Sequence, residues 1–227
     1  MKEPISAIVL AGGRSSRMGQ DKALIPVDGV PLLQRTCEVA RQCAASVTVI
    51  TFYPDKYQAI VPPCCNLLQE QPLAYEQADD PRPHGALVGF AQALATVKTP
   101  WAVLLACDLP YLQTPILQRW MGQIPPEDTA IALLPHTEKG WEPLCGFYHR
   151  SCLTTLVPLI NQGGRSFQQW LTQVPVQAIT PSPLPEESQQ ESQMLFNCNT
   201  PADLRRLLLA QSQEPTHPPL LSPENKR

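Results

Sequence analysis

Two adjacent glycines and three cations share one short loop of this chain: Gly12, Gly13, Arg14, Arg17 and Lys22 follow directly on an apolar run over residues 5–10. Glycine has no Cβ, so a phosphate can approach the main chain closely and be cradled by its N–H groups. The guanidinium groups and the ammonium add fixed positive charge at the same place. A buried strand, bare backbone and three cations together describe a site for a polyphosphate. A second charged residue, Asp108, ends another apolar run over residues 101–107, and Pro110 stiffens the exit. A carboxylate at a strand end beside a phosphate loop suits a hard divalent cation. Magnesium takes one or two carboxylates and fills its remaining positions with water and phosphate oxygens.

Two better-known phosphate loops do not match. A Walker A loop has four residues between its glycines and a lysine directly after the second, whereas five residues separate Gly13 from Gly19 and Lys22 follows three positions later. The dinucleotide pattern G-x-G-x-x-G fails because Gly12 and Gly13 are adjacent. The stretch Leu10-Ala11-Gly12-Gly13, then Arg17-Met18-Gly19, then Lys22 resembles instead the signature of nucleotidyltransferases with a Rossmann-like fold. Its ending, Asp21-Lys22-Ala23-Leu24-Ile25-Pro26, resembles the molybdenum cofactor guanylyltransferases. Two later segments are similar to the same family: Glu142-Pro143-Leu144 before a strand, and Asn197-Cys198-Asn199-Thr200-Pro201-Ala202-Asp203-Leu204 near the C-terminus. The resemblance covers roughly residues 5–210.

The resemblance implies an enzyme that joins GTP to a phosphate-bearing molybdopterin, giving a guanine dinucleotide cofactor and pyrophosphate. It implies that Leu10, Ala11, Gly12 and Gly13 hold the nucleotide, together with Lys22 and Asp108. Arg17 and Lys22 would neutralise phosphates, Asp108 would place Mg2+, and these three would form the catalytic set. Glu142, Asn197 and Asn199 would lie on the acceptor side, since asparagine offers both donors and acceptors to a pterin edge. Asn199 and Asp203 equally suit turn and capping roles before a helix. A molybdoenzyme or cofactor-handling protein would receive the product. Departures from the family fall where guanine is read: Ile50 or Thr51 ends the second strand, Glu70-Gln71 follows the third, and His84-Gly85-Ala86-Leu87-Val88-Gly89 opens the third helix. A related transferase using CTP or a sugar phosphate is the nearest alternative. A nucleotide-binding regulatory subunit without catalysis is the alternative from another class.

The elements that must position these residues alternate. Residues 5–10, 47–52, 66–69 and 101–107 read as strands; 31–44, 55–61 and 85–98 read as helices. That alternation predicts an α/β fold: a single Rossmann-like domain with a mostly parallel central sheet and helices on both faces. Gly12, Gly13 and Asp108 then fall at carboxyl ends of strands, where such sheets bind ligands. The second half predicts helices at 114–122, 152–161 and 166–172, strands at 130–134 and 144–148, and an edge strand at 176–180. A polar, Pro-containing surface loop is expected over 181–193. Thr200-Pro201-Ala202-Asp203 starts a last helix, with Thr as N-cap and Pro at the first position. Gly163-Gly164-Arg165-Ser166 reads as another helix start with a cation, an ordinary turn first and a phosphate contact second. Domain 1–210 is followed by a Pro-, Gln- and Ser-rich tail, 211–227, expected to be disordered.

Composition excludes several classes. A formal net charge of -3 offers no basic face for nucleic acid. No apolar run approaches the roughly 20 residues that span a bilayer, and the N-terminus carries no signal-peptide pattern. The eight cysteines include no C-x-x-C pair and read as reduced thiols of a cytoplasmic protein. None of the four histidines stands in a nucleophile motif, which leaves a hydrolytic triad without support.

Overall fold

Apolar runs form the strands, and the intervening amphipathic segments cover them. The computed structural model describes residues 3–12, 20–73, 83–126 and 129–211. The elements begin with β1 (Ser6–Leu10), β2 (Pro26–Val27), β3 (Val30–Pro31), α1 (Leu32–Cys43), β4 (Ser46–Thr51), α2 (Pro54–Tyr57) and β5 (Asn66–Gln69). Next come α3 (Ala86–Thr96), β6 (Trp101–Ala106), α4 (Thr114–Met121), β7 (Ala132–Leu134), β8 (His136–Thr137), β9 (Gly140–Trp141) and β10 (Cys145–His149). The chain continues through α5 (Leu153–Asn161), α6 (Phe167–Leu171), β11 (Val176–Ala178), α7 (Pro185–Met194) and α8 (Pro201–Gln211). Gly13, Arg14 and Arg17 lie outside the described residues, as do residues 74–82 and residues 212–227 of the expected tail.

Among the described residues, seven strands form one sheet in the order β11-β7-β10-β6-β1-β4-β5. Only β10 runs antiparallel to its neighbours in this sheet; the other pairs are parallel. This is the expected mostly parallel sheet. Its side chains alternate between faces with a period of two. Ala7, Val9, Val103, Leu105 and Phe147 pack with Leu33, Cys37, Ile116 and Trp120 of α1 and α4 on one face. Ile8, Ala102, Leu104 and Tyr148 pack with Leu87, Phe90, Leu156 and Trp170 of α3, α5 and α6 on the other. Burial on both faces explains why β6 reads as an unbroken apolar run. From β1 the chain winds through α1 to β4 on one side. From β5 it returns through α3 to β6 on the other side of β1. That reversal makes the carboxyl edge of β1 and β6 the natural crevice for a ligand.

Among the described residues, the segment 181–193 overturns its sequence expectation. In place of a loop, α7 occupies most of it, with Pro185 in the first turn beside Glu186 and Glu187. Proline suits that position, and acidic groups favour a helix N-terminus. Glu191 is only 4% exposed. Its carboxylate accepts from Arg119 Nη2 at 2.6 Å, Trp120 Nε1 at 2.8 Å and the Ser182 N–H at 2.9 Å. Polar contacts to α4, together with buried Met194, hold the helix, so it shows no apolar stripe. All eight cysteines are free thiols, six of them buried. Burial pushes the Cys145 thiol up to about 12 and Cys43 up to about 11, which leaves them unreactive. No helix among the described residues is long and apolar enough to cross a membrane.

Burial alone would raise the Glu191 carboxyl; hydrogen bonds from Arg119, Ser182 and Trp120 outweigh it and hold the group below its ordinary 4.5. A lowered folded value contributes stability that is present above the unfolded value and is lost as pH falls through the folded one. Glu191→Gln should therefore be less stable than the parent at pH 7 by about 1–3 kcal/mol. Thermal melts should show the gap closing in acid, and a gap that is the same at pH 7 and pH 3 contradicts the assignment.

Candidate active site

At the carboxyl edge, β1 hands the chain to the glycine loop between two neighbours. The Ala11 N–H donates to the Ile50 carbonyl at 3.0 Å, and the Cys107 N–H donates to the Leu10 carbonyl at 3.2 Å. The start of the loop is thus pinned to β4 on one side and to the end of β6 on the other. Gly12 has φ +106°, and a Cβ there would lie 2.9 Å from Thr51 Oγ1. Both the dihedral and the space demand glycine. A cavity of about 400 Å3 opens here, lined by Leu10, Ala11, Gly12, Lys22 and Asp108, with Ile50, Glu70 and His84 farther along.

Lys22 reaches the cavity from the 3-10 turn Lys22–Leu24, whose N-cap is Asp21. Asp21 Oδ1 accepts the Ala23 N–H at 3.0 Å, and Oδ2 accepts from Tyr57 Oη at 2.7 Å and Lys56 Nζ at 2.6 Å. Burial opposes ionisation of Asp21, but the bonds from Lys56, Tyr57 and Ala23 prevail and lower its pKa. The turn is therefore anchored by a charged cap, and Lys22 projects from a fixed base. Lys22 Nζ lies 3.1 Å from Asp108 Oδ2, with each side chain 18% exposed. It also donates to Asn199 Oδ1. An ion pair still reached by solvent contributes on the order of 1 kcal/mol or less. Such a pair can be exchanged readily for a ligand.

Asp108 Oδ1 is buried and, among the described residues, has no hydrogen-bond partner. A buried carboxylate oxygen left unpaired costs about 1–3 kcal/mol or more. A divalent cation would satisfy it. No group of three or more His, Cys, Asp or Glu side chains placed to hold a metal exists among the described residues. A lone carboxylate with an unpaired buried oxygen, Asp108 Oδ1, fits the sparse mode of magnesium, in which phosphate and water complete the shell.

The sequence-derived residues do not all converge. Leu10, Ala11, Gly12, Lys22 and Asp108 share the cavity, and Asn199 touches Lys22. Glu142 lines a neighbouring hollow of about 630 Å3 with Thr137, Lys139, Leu195 and Phe196. Burial raises the Glu142 carboxyl above its usual range, against the pull of Thr137 and Lys139. Leu144, two residues on, lines the first cavity. Asn197 spends its amide locally, donating to the Leu195 carbonyl at 3.1 Å. Arg17 and Gly13 lie outside the described residues.

Two features escape the sequence. One is the Asp21 anchor, whose only sequence signal is an acidic residue just before the lysine. The other is the pair closing the far end of the cavity: Glu70 Oε1 accepts from both the main-chain N–H of His84 at 2.8 Å and its Nδ1 at 2.6 Å. These residues stand where the chain departs from the family pattern.

A Rossmann-like sheet carrying a pinned glycine loop, a lysine and a carboxylate at one strand edge is the architecture of nucleotidyltransferases. The chain belongs to the MobA-like NTP transferase domain family, whose model matches residues 7–176. A Nostoc sp. protein named "Probable molybdenum cofactor guanylyltransferase" is 52% identical over 202 residues, spanning 88% of each chain. In structure the chain resembles molybdopterin-guanine dinucleotide biosynthesis protein A from Archaeoglobus fulgidus, with a TM-score of 0.71 at 21% identity over 92% of this chain and all of that one. It also resembles a Mycobacterium tuberculosis protein crystallised in complex with manganese, with a TM-score of 0.63 at 19% identity over 92% of this chain and all of that one.

Gly12→Ala tests the pinned loop. It forces a non-glycine residue to φ near +106° and a Cβ against Thr51, a strain of order 1–3 kcal/mol. We expect a lower denaturation midpoint and weaker nucleotide binding together. Unchanged binding in a folded variant removes the loop from the site.

Proposed function

We propose that this chain transfers GMP from GTP to the terminal phosphate of molybdopterin, releasing pyrophosphate. The observation that carries the reading is the Lys22–Asp108 pair beside Gly12, at the carboxyl edge of β1 and β6. Its membership of the MobA-like family and its likeness to the Nostoc protein supply the substrates. An acceptor phosphate oxygen attacks the α-phosphorus of GTP in line. One P–O bond forms as the bond to the β-phosphate oxygen breaks, and the pyrophosphate leaves with both electrons. A phosphate dianion is already nucleophilic near neutral pH, so the site needs no general base. Its work is positioning and charge stabilisation.

The main chain at Leu10, Ala11 and Gly12 holds the nucleotide, while Lys22 moves from Asp108 to a phosphate oxygen. Arg17, with Gly13 in the same loop, is assigned a matching role by its place in the motif. Asp108 would hold Mg2+, and the cation would supply positive charge to the α-phosphate and the leaving group. Guanine is placed at the Glu70 end, because its N1–H and N2 amino group are donors that a carboxylate accepts. The pterin is assigned to the hollow beside Glu142, with Asn197 next to Phe196 of its lining, while Asn199 turns instead to Lys22. Catalysis is assigned to a single unit, 1–210, without the tail 211–227. A cytoplasmic setting suits the free thiols, with a molybdoenzyme or cofactor-handling protein receiving the product.

Pyrophosphate release measured with each of the four nucleoside triphosphates, with and without molybdopterin, tests the reading. Release should occur with GTP and only when molybdopterin is present. Equal rates with CTP, or no dependence on molybdopterin, overturn it. Lys22→Ala should lose about 2–4 kcal/mol of transition-state stabilisation, roughly thirty- to a thousand-fold in rate, with an unchanged melting temperature. Asp108→Asn should need much more magnesium for activity, since the amide keeps the shape but not the charge. An unchanged magnesium requirement would make Asp108 a structural strand cap.

A further inference from the structure

The C-terminal segment reaches back across 177 residues of sequence to touch Lys22. We infer that Asn199 is a positioning residue for Lys22: its amide oxygen tethers the ammonium so that it can pass from Asp108 to a nucleotide phosphate. The inference rests on the nucleotide reading of Lys22 and Asp108.

Asn199 is unusually well braced for an exposed residue. Asp203 Oδ2 accepts the main-chain N–H of Asn199 at 3.0 Å and of Thr200 at 2.7 Å. In return the Asp203 N–H donates to Thr200 Oγ1 at 3.1 Å. This reciprocal capping arrangement at the start of α8 fixes the turn. One residue earlier, the Cys198 N–H donates to the Asp108 carbonyl at 2.9 Å. The Cys198 side chain is buried with Ile25, Val27, Leu32 and Leu207, the hairpin that follows Lys22 packing on α8. The segment is therefore tied both to the backbone of Asp108 and to the element that carries Lys22.

That geometry has a chemical use. Lys22 carries several donors on a long, rotamer-rich stem. When Asp108 turns to a cation, its hold on the ammonium must weaken. The Asn199 contact then narrows the rotamers open to Lys22 at the moment a phosphate needs it. The neutral amide oxygen of Asn199 keeps the ammonium in place without cancelling its charge. A carboxylate at that position would compete with phosphate.

The test separates positioning from acceptor contact. Binding of GTP with magnesium is measured by calorimetry, without molybdopterin, for the parent, Asn199→Ala, Lys22→Met and the double variant. Asn199 is exposed, so its truncation empties no core, and melting curves serve as the check. Asn199→Ala should weaken GTP binding by about tenfold, as for loss of one hydrogen bond to a charged group. It should lower kcat while leaving the KM for molybdopterin nearly unchanged. In the Lys22→Met background the same truncation should cost nothing further, because its effect passes through the ammonium. Unchanged GTP affinity with a raised molybdopterin KM overturns the inference, as do losses that multiply in the double variant. A parent chain that binds no GTP overturns the nucleotide reading as well.

Discussion

The pairing of β1 with β6 is the constraint on which the site depends. Its register sets Leu10 opposite Ala106, so the glycine loop and Asp108 leave the sheet side by side. Both strands are buried on two faces, and a one-residue slip would turn each apolar side chain to the wrong helical layer. The core therefore fixes where the chemistry sits. The same register explains why Cys107, between Ala106 and Asp108, donates back to Leu10: the pairing runs on past the last strand residue, into the site.

What the core fixes, the polar residues finish. Asp21 anchors the turn that launches Lys22 by accepting from Tyr57 and Lys56, and the Asn199 segment meets the ammonium from the far end of the chain. None of these contacts is worth much for folding on its own, since surface-accessible ion pairs contribute little. Their effect is to reduce the conformations Lys22 can adopt. Asp108 differs: a buried oxygen without a partner among the described residues is a cost carried by the fold, and it makes sense where a ligand will supply the missing charge.

Much of this was readable from sequence because it depends on local pattern. The apolar runs of β1 and β6, Gly12 at the end of β1, and the Thr200-Pro201-Ala202-Asp203 helix start each state their own structure. The α7 helix does not: only Glu191 and Met194 are buried along it, and it is held by Arg119 and Trp120 from another helix. The prolines, serines and acids of residues 181–193 look like a loop to any local reading. The Glu70–His84 clasp and the Asn199–Lys22 contact were illegible for the same reason. They join residues that only the finished fold brings together. Glu142 was singled out by family resemblance alone, and its place in a hollow apart from the Lys22 cavity could not be read from the chain.

A crystal structure with GTP and manganese tests the account most directly, because the metal can be located by its anomalous scattering. The account predicts manganese on Asp108 and bridging phosphate oxygens, with Lys22 Nζ moved onto a phosphate while still held by Asn199. Manganese bound away from Asp108, or a nucleotide seated with Lys22 still paired to Asp108, would contradict it.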